Sequence, residues 1–215
     1  MPIPNQASLL NLDEAATLLA AGGIVIYPTE TFFALGCVAT LAAPVRAIFA
    51  IKGRPPQKPL PILAADMAQA RQVAHVEEAP GDLLELFWPG PLTLLLAAKK
   101  NLAPELINPQ HKAALRITAG AVAARLARAA QGCLTASSAN ISGFAPVARL
   151  AELDPGLIAA CHRSGLPWGI LGAEQPGGNL PSTVAEPIWT GTQWQLRILR
   201  HGQIPADQLQ QWNPI

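Results

Sequence analysis

The sequence predicts an α/β fold: a single domain with a twisted, open, mixed sheet and flanking helices. Three observations carry this expectation. Half of the 215 residues are hydrophobic and only 13% are charged, which is enough for a sizeable core without disulfides or metals. Apolar runs of strand length recur, as in residues 24–27 and 92–97. Stretches with helical spacing alternate with those runs, the order that lays helices against a sheet.

Taken in order, Leu9, Leu12, Ala16 and Leu19 recur at helical spacing, so residues 8–21 read as a helix ended by Gly22-Gly23. Residues 24–27 follow as a buried strand that Pro28 stops. A second helix is expected over residues 44–51, with Pro44 early, where a missing N–H costs nothing. Residues 60–64 read as a short strand, and Asp66 suits the N-cap of the next helix. Residues 83–87 are helical, then comes the Trp88-Pro89-Gly90-Pro91 turn and a core strand over 92–97. Another strand at 114–118 leads to an alanine-rich helix over 121–130, and a strand at 133–137 runs into Ser138-Ala139-Asn140. The Gly- and Pro-rich stretch 165–181 is longer than packing needs and reads as a functional rim. Strands at 182–185 and 195–199 precede a closing turn around Leu209. No repeat or linker divides the chain, so one domain over 1–215 is expected, its core about residues 8–205.

Fifteen basic and 14 acidic residues leave a net charge of +1, which gives no bulk attraction to nucleic acid or an anionic membrane. Any anion site must therefore be local. Cys37, Cys133 and Cys161 are too far apart in sequence for a C-x-x-C pair and read as buried free thiols of a reducing cytoplasm. Met1 to Gln6 lack the charged and apolar regions of a signal peptide, and the longest apolar run is far short of a membrane span. A soluble cytoplasmic protein with no membrane partner is expected.

The segment from Ile51 to Pro61 carries the strongest functional signal. It places Lys52, Arg54 and Lys58 within seven residues, among Gly53 and four prolines. Glycine and proline forbid regular structure there, so the cations sit on a constrained loop suited to phosphate. No Walker loop or G-x-G-x-x-G occurs. Four further segments share the theme. Thr29 and Thr31 offer hydroxyls where a buried strand ends, and Glu30 between them can pair with an ammonium group or a cation of the site. Arg116 sits inside an apolar strand, followed by Thr118, and a guanidinium there needs a partner or an exposed edge. Ser138, Asn140 and Ser142 follow a strand exit and suit ribose, phosphate or amino-acid recognition. Ser182 and Thr183 open a late strand, and Arg200-His201-Gly202 closes the next. No Ser-His-Asp set or metal-binding H-E-x-x-H is readable, so the site is expected to act by positioning and by stabilising phosphoryl charge.

In sequence order, these segments resemble the YrdC/TsaC family of threonylcarbamoyl-AMP synthases. The resemblance is carried by Tyr27-Pro28-Thr29-Glu30-Thr31, Lys52-Gly53-Arg54-Pro55, Lys58-Pro59-Leu60, Trp88-Pro89-Gly90-Pro91-Leu92-Thr93, Leu115-Arg116-Ile117, Ser138-Ala139-Asn140-Ile141-Ser142-Gly143, Ser182-Thr183-Val184 and Leu199-Arg200-His201-Gly202. It spans about residues 10–205 and matches the short form without a C-terminal extension. It implies a concave, cationic cavity and a nucleotidyltransferase joining L-threonine, bicarbonate and ATP into threonylcarbamoyl-AMP and pyrophosphate. The product serves threonylcarbamoyl modification of adenosine 37 in tRNA, so tRNA-modification proteins, and tRNA or double-stranded RNA, are implied partners.

By the same resemblance Lys52 and Arg54 grip the triphosphate with Mg²⁺ sharing its charge, and Ser138, Ala139, Asn140 and Arg200 contact the nucleotide. Thr29, Arg116 and Ser182 hold the threonine, with Thr31, Lys58, Thr118, Ser142 and Thr183 as further candidates. The chain departs from the family at Phe33 and Ala34, where tyrosine and glycine are usual. It departs again over Phe144 to Ala148, where a serine-proline-threonine tract is common, and at Glu186, near a frequent aspartate. Two other readings remain open on sequence alone: a non-catalytic, double-stranded-RNA-binding relative, or a relative forming a carbamoyl-adenylate for another acceptor.

Overall fold

A computed structural model describes residues 8–172, 176–210 and 212; the reading of Met1 to Gln6 lies outside them, as does part of the 165–181 stretch. Asn11, not Ser8, sets the start of the first helix. Its side-chain oxygen accepts from the Glu14 N–H at 3.0 Å, and Glu14 Oε2 accepts from the Asn11 N–H at 2.8 Å. That reciprocal cap leaves Leu9 and Leu10 outside the helix, so strand β1 (Leu9–Leu10) precedes helix α1 (Leu12–Ala20). Strands β2 (Ile24–Pro28) and β3 (Phe33–Gly36) form an antiparallel hairpin around Thr29, Glu30 and Thr31. Helix α2 (Ala42–Lys52) begins two residues before Pro44 and stops at Gly53, whose φ of +56° reverses the chain at little cost.

Strand β4 (Ile62–Ala64) leads to Asp66, whose carboxylate accepts from the Gln69 N–H at 3.0 Å and caps helix α3 (Met67–Val73). Helix α4 (Gly81–Phe87), strands β5 (Leu92–Ala97) and β6 (Lys112–Ile117), and helix α5 (Ala121–Ala129) lie close to their expected places. The expected strand over 133–137 is instead two short ones, β7 (Leu134–Thr135) and β8 (Ser137–Ser138). Helix α6 (Pro155–Arg163) and strand β9 (Trp168–Leu171) are additional, and β9 corrects the reading of 165–181 as loop throughout. Strands β10 (Thr183–Trp189) and β11 (Trp194–Arg200) and helix α7 (Ala206–Gln210) complete the order.

The strands divide into two mixed sheets, β1-β9-β2-β3-β8 and β11-β10-β5-β6-β4-β7. The α/β class with twisted open sheets and flanking helices stands; the partition into two is the structure's addition. Strand β2 is apolar at every position because both its faces are covered. Ile24 and Ile26 join the cluster that holds Phe33, Ile48 and Leu115, while Val25 and Tyr27 face the one formed with α1 and α5. Burying a ring such as Phe33 contributes about 1.5–3 kcal/mol.

The chain passes from one sheet to the other at Ala136, between β7 and β8. Two long-range bonds hold that crossing: the Tyr27 hydroxyl donates to the Thr135 carbonyl at 2.8 Å, and the Cys37 N–H donates to Thr135 Oγ1 at 3.0 Å. The cleft described next opens beside this junction. No helix among the described residues is long and apolar enough to cross a membrane.

Candidate active site

A cavity of about 260 Å³ is walled by Thr29 and Thr31 of the β2–β3 turn, Arg116 of β6, Ser137 and Ser138 of β8, Ser182 before β10 and Arg200 at the end of β11. An adjoining cavity of about 230 Å³ is lined by Lys52, Lys58 and Ser142, and Arg54, Ser138 and Asn140 line both. The shared residues make the two cavities lobes of one cleft. Neither lining contains an aspartate, glutamate or histidine among the described residues.

Four of the cations, Lys52, Arg54, Arg116 and Arg200, are held by specific acceptors. Lys52, only 1% exposed, donates through Nζ to the backbone carbonyls of Ser138 and Asn140. The last turn of α2 thus fastens the strand exit that carries Ser138 and Asn140. Burial, reinforced by the charge of Arg54, pulls its ammonium down to about 7, whereas contact with two carbonyls favours the charged form. Arg54 Nε donates to the Lys58 carbonyl at 2.6 Å and Nη2 to that of Pro59 at 3.1 Å, so the loop curls around its own arginine. Arg200 donates from Nε and Nη2 to the Ser182 carbonyl at 3.2 and 2.8 Å, and from Nη2 to Ser182 Oγ at 3.1 Å. Ser182 Oγ also meets Thr93 Oγ1 at 2.9 Å. Arg116 differs: its Nε donates to a carboxylate, Glu30 Oε1, at 2.9 Å.

Carbonyls position Lys52, Arg54 and Arg200 without cancelling their charge. Burial lowers the pKa of Arg200, and the charges of Arg116 and Arg54 lower it further, so Arg200 feels repulsion from both across the cleft. Burial likewise lowers Arg54. Such a site attracts a polyanion.

The hydroxyls and amide divide into engaged and available groups. Thr29 Oγ1 donates to the Phe32 carbonyl at 2.7 Å and accepts from the Thr31 N–H at 3.2 Å, with Thr31 Oγ1 at 3.0 Å, which ties the turn together. Thr118 donates to Glu30 Oε2 at 2.6 Å and stands behind the wall. Thr183 is fully buried and donates to the Ile204 carbonyl at 2.7 Å, away from the cleft. Ala139 is also fully buried, its N–H donating to the Phe33 carbonyl at 2.8 Å. Asn140 Nδ2 donates to the carbonyls of Ile141 (3.1 Å) and Phe144 (2.6 Å), which fixes the amide orientation. Asn140 Oδ1 and Ser142 Oγ are left buried with no partner among the described residues. Orphaned polar atoms lining a cleft are groups that a ligand can satisfy.

Sequence reasoning named Phe33 and Phe144 only as departures from the family and missed that they belong to an apolar lining. Phe32, Phe33, Pro61, Ala136, Phe144 and Pro146 form it, and Phe144 is 65% exposed at the lip. The signal for Phe144 was its standing where the family it resembles carries hydroxyls. No cysteine lines the cleft among the described residues. The thiols of Cys37, Cys133 and Cys161 are buried, and burial pushes each up to about 12.

Residues 17–202 match the Sua5/YciO/YrdC family model, described as telomere recombination. The chain is 34% identical over 182 residues to the threonylcarbamoyl-AMP synthase of Stenotrophomonas maltophilia, covering 83% of this chain and 95% of that protein. It is 33% identical over 202 residues to the enzyme of the same name from Xanthomonas euvesicatoria, covering 92% and 98%. Among solved structures it is similar to P. abyssi Sua5 complexed with L-threonine, with a TM-score of 0.77 and 31% identity. That likeness covers 93% of this chain but 56% of the longer P. abyssi chain. E. coli YciO shares the fold at a TM-score of 0.72 and 20% identity.

Proposed function

Because the chain belongs to the Sua5/YciO/YrdC family, we propose that it is a cytoplasmic threonylcarbamoyl-AMP synthase. The observation that carries this reading is the grouping of Arg54, Arg116 and Arg200 around one cavity with no acidic lining among the described residues, which Phe32, Phe33 and Phe144 also line. Excess positive charge suits a triphosphate and a carboxylate together, and an apolar wall suits a purine.

In this reading Arg116 receives the threonine carboxylate, with Thr29, Thr31 and Ser182 around the rest of that amino acid. Arg54 and Lys58 face the triphosphate, and Lys52 holds Ser138 and Asn140 in place against the nucleotide. The threonine amine and bicarbonate give a carbamate and water. A carbamate oxygen then forms a bond to the α-phosphorus as the bond to the bridging oxygen breaks, releasing pyrophosphate. Arg54 and Arg200 stabilise the charge moving onto that leaving group, a contribution worth roughly 3 kcal/mol per well-placed donor. The described residues contain no cluster of three His, Cys, Asp or Glu side chains. Magnesium would therefore enter with the nucleotide, adding to the positive charge that Arg54 and Lys58 would present to the triphosphate. The product would pass to the proteins that modify adenosine 37 of tRNA.

The test is incubation with ATP, bicarbonate and isotopically labelled threonine, followed by mass spectrometry for the labile adenylate. The expected result is a labelled adenylate and threonine-dependent pyrophosphate, both lost in Arg54→Ala. Pyrophosphate release that ignores threonine, or none at all, would overturn the assignment. Those are the results that a relative using another acceptor, or a pure RNA binder, would give.

A further inference from the structure

Glu30 stands apart among the groups that hold the cations of the cleft, and it does so from behind the lining. Arg54, Lys52 and Arg200 are fastened by backbone carbonyls, which steer a cation without neutralising it. Arg116 alone is fastened by a carboxylate, with side-chain exposures of 3% for Arg116 and 12% for Glu30. We propose that Glu30 is a positioning residue that turns the terminal edge of Arg116 into the cavity, and that it thereby sets recognition of the substrate carboxylate. This inference rests on the reading of Arg116 as the threonine carboxylate's partner.

The geometry supplies the direction. Glu30 Oε1 takes the Nε–H of Arg116, and Glu30 Oε2 takes the hydroxyl proton of Thr118 at 2.6 Å. Thr118 Oγ1 in turn accepts the Gly120 N–H at 3.1 Å, so its hydroxyl has one orientation and the carboxylate is held at both oxygens. With Nε occupied, the Nη1–Nη2 edge remains for a ligand. Neither Nη group has a protein partner among the described residues, and Arg116 lines the cavity. Two parallel N–H donors on one rigid edge match the two oxygens of a carboxylate.

The backbone of Glu30 is clamped as well. A Cβ on Gly120 would lie 2.9 Å from the Glu30 nitrogen, and one on Gly178 would lie 2.7 Å from the Glu30 carbonyl oxygen. Glycine at both positions lets flanking chain close on the turn from two directions. An acid that only neutralised a buried arginine would need no such fixation of its main chain.

The test compares wild type with Glu30→Gln, measuring binding of L-threonine, L-threoninamide and ATP separately by calorimetry. Wild type should prefer threonine over its amide by about 10-fold or more, since a bidentate ionic contact is lost with the carboxylate. In Glu30→Gln that preference should fall several-fold while ATP affinity stays within about twofold of wild type. Thr118→Val, which keeps the carboxylate but frees one oxygen, should fall between the two and serves if Glu30→Gln does not fold. A purely structural role would weaken threonine and its amide alike, so an unchanged preference in both variants would overturn the proposal. Wild type that binds threonine without preferring it to the amide would also overturn it, leaving the synthase reading in place. Wild type that binds no threonine would overturn both.

Discussion

Lys52, the last residue of α2, donates its ammonium protons to the carbonyl of Ser138, 86 positions along the chain. A lysine in a phosphate-binding loop is ordinarily read as a mobile point charge. Here it is a buried peg that joins a helix end to a strand exit, with Asn140 as its second acceptor.

Lys52 also carries a pH signature. Its pKa lies near 7 in the folded protein, below the ordinary 10.5, so between those values the unfolded chain binds the extra proton. Stability must therefore rise with pH across that window. Urea unfolding of wild type and Lys52→Met should show wild type gaining up to about 1 kcal/mol more than the variant from about pH 7 to about pH 8. Equal slopes would mean that the carbonyls keep the folded ammonium charged.

Arg200 is latched to Ser182 by three hydrogen bonds. Lysine supplies charge but cannot span the carbonyl and the hydroxyl together. Threonine-dependent pyrophosphate release should fall by roughly 100-fold in Arg200→Lys and much less in Ser182→Ala. A lysine variant with wild-type turnover would show that only charge matters at this position.

Phe144 projects its ring at the cleft lip while its carbonyl is pinned by Asn140 and its N–H donates to Ile141 at 3.1 Å. Because the ring is exposed, Phe144→Ala should leave thermal stability nearly unchanged. Lost stacking on a purine, worth about 1–3 kcal/mol, should weaken ATP binding at least fivefold with threonine binding unaffected. Equal ATP affinities would place the base elsewhere.

The three thiols should be silent in the folded state. Burial pushes each up to about 12, which leaves almost no thiolate at neutral pH and no access for a reagent. A colorimetric thiol titration should read close to zero in native buffer and 3 per chain after denaturation. Rapid native reaction at any of them would contradict the packing.

Much of the cleft was legible because its residues are conspicuous: cations and hydroxyls at strand exits in a chain that is mostly apolar. What they bond to was not. Lys52 and Arg200 end on backbone carbonyls, and no residue type in a sequence marks a carbonyl as an acceptor. Helix α6 was missed because Asp154-Pro155-Gly156 looks like a turn, whereas Asp154 accepts from the Gly156 and Leu157 N–H groups and Pro155 takes the first helical position. Strand β9 was hidden by surrounding glycines and prolines; its four residues are held by parallel pairing on both sides, with β1 and β2. The split into two sheets depends on one residue, Ala136, and on partners about a hundred positions apart, such as Tyr27 and Thr135.

The carbonyl latches have a consequence for the folded state. They hold Arg54 and Arg200 at fixed positions without neutralising them, and Arg200 feels the charges of both Arg54 and Arg116. An arriving polyanion relieves that repulsion as well as meeting a complementary surface, and ligand affinity becomes folding stability by mass action. On the proposed function that polyanion is ATP, so its binding should raise the midpoint of thermal unfolding.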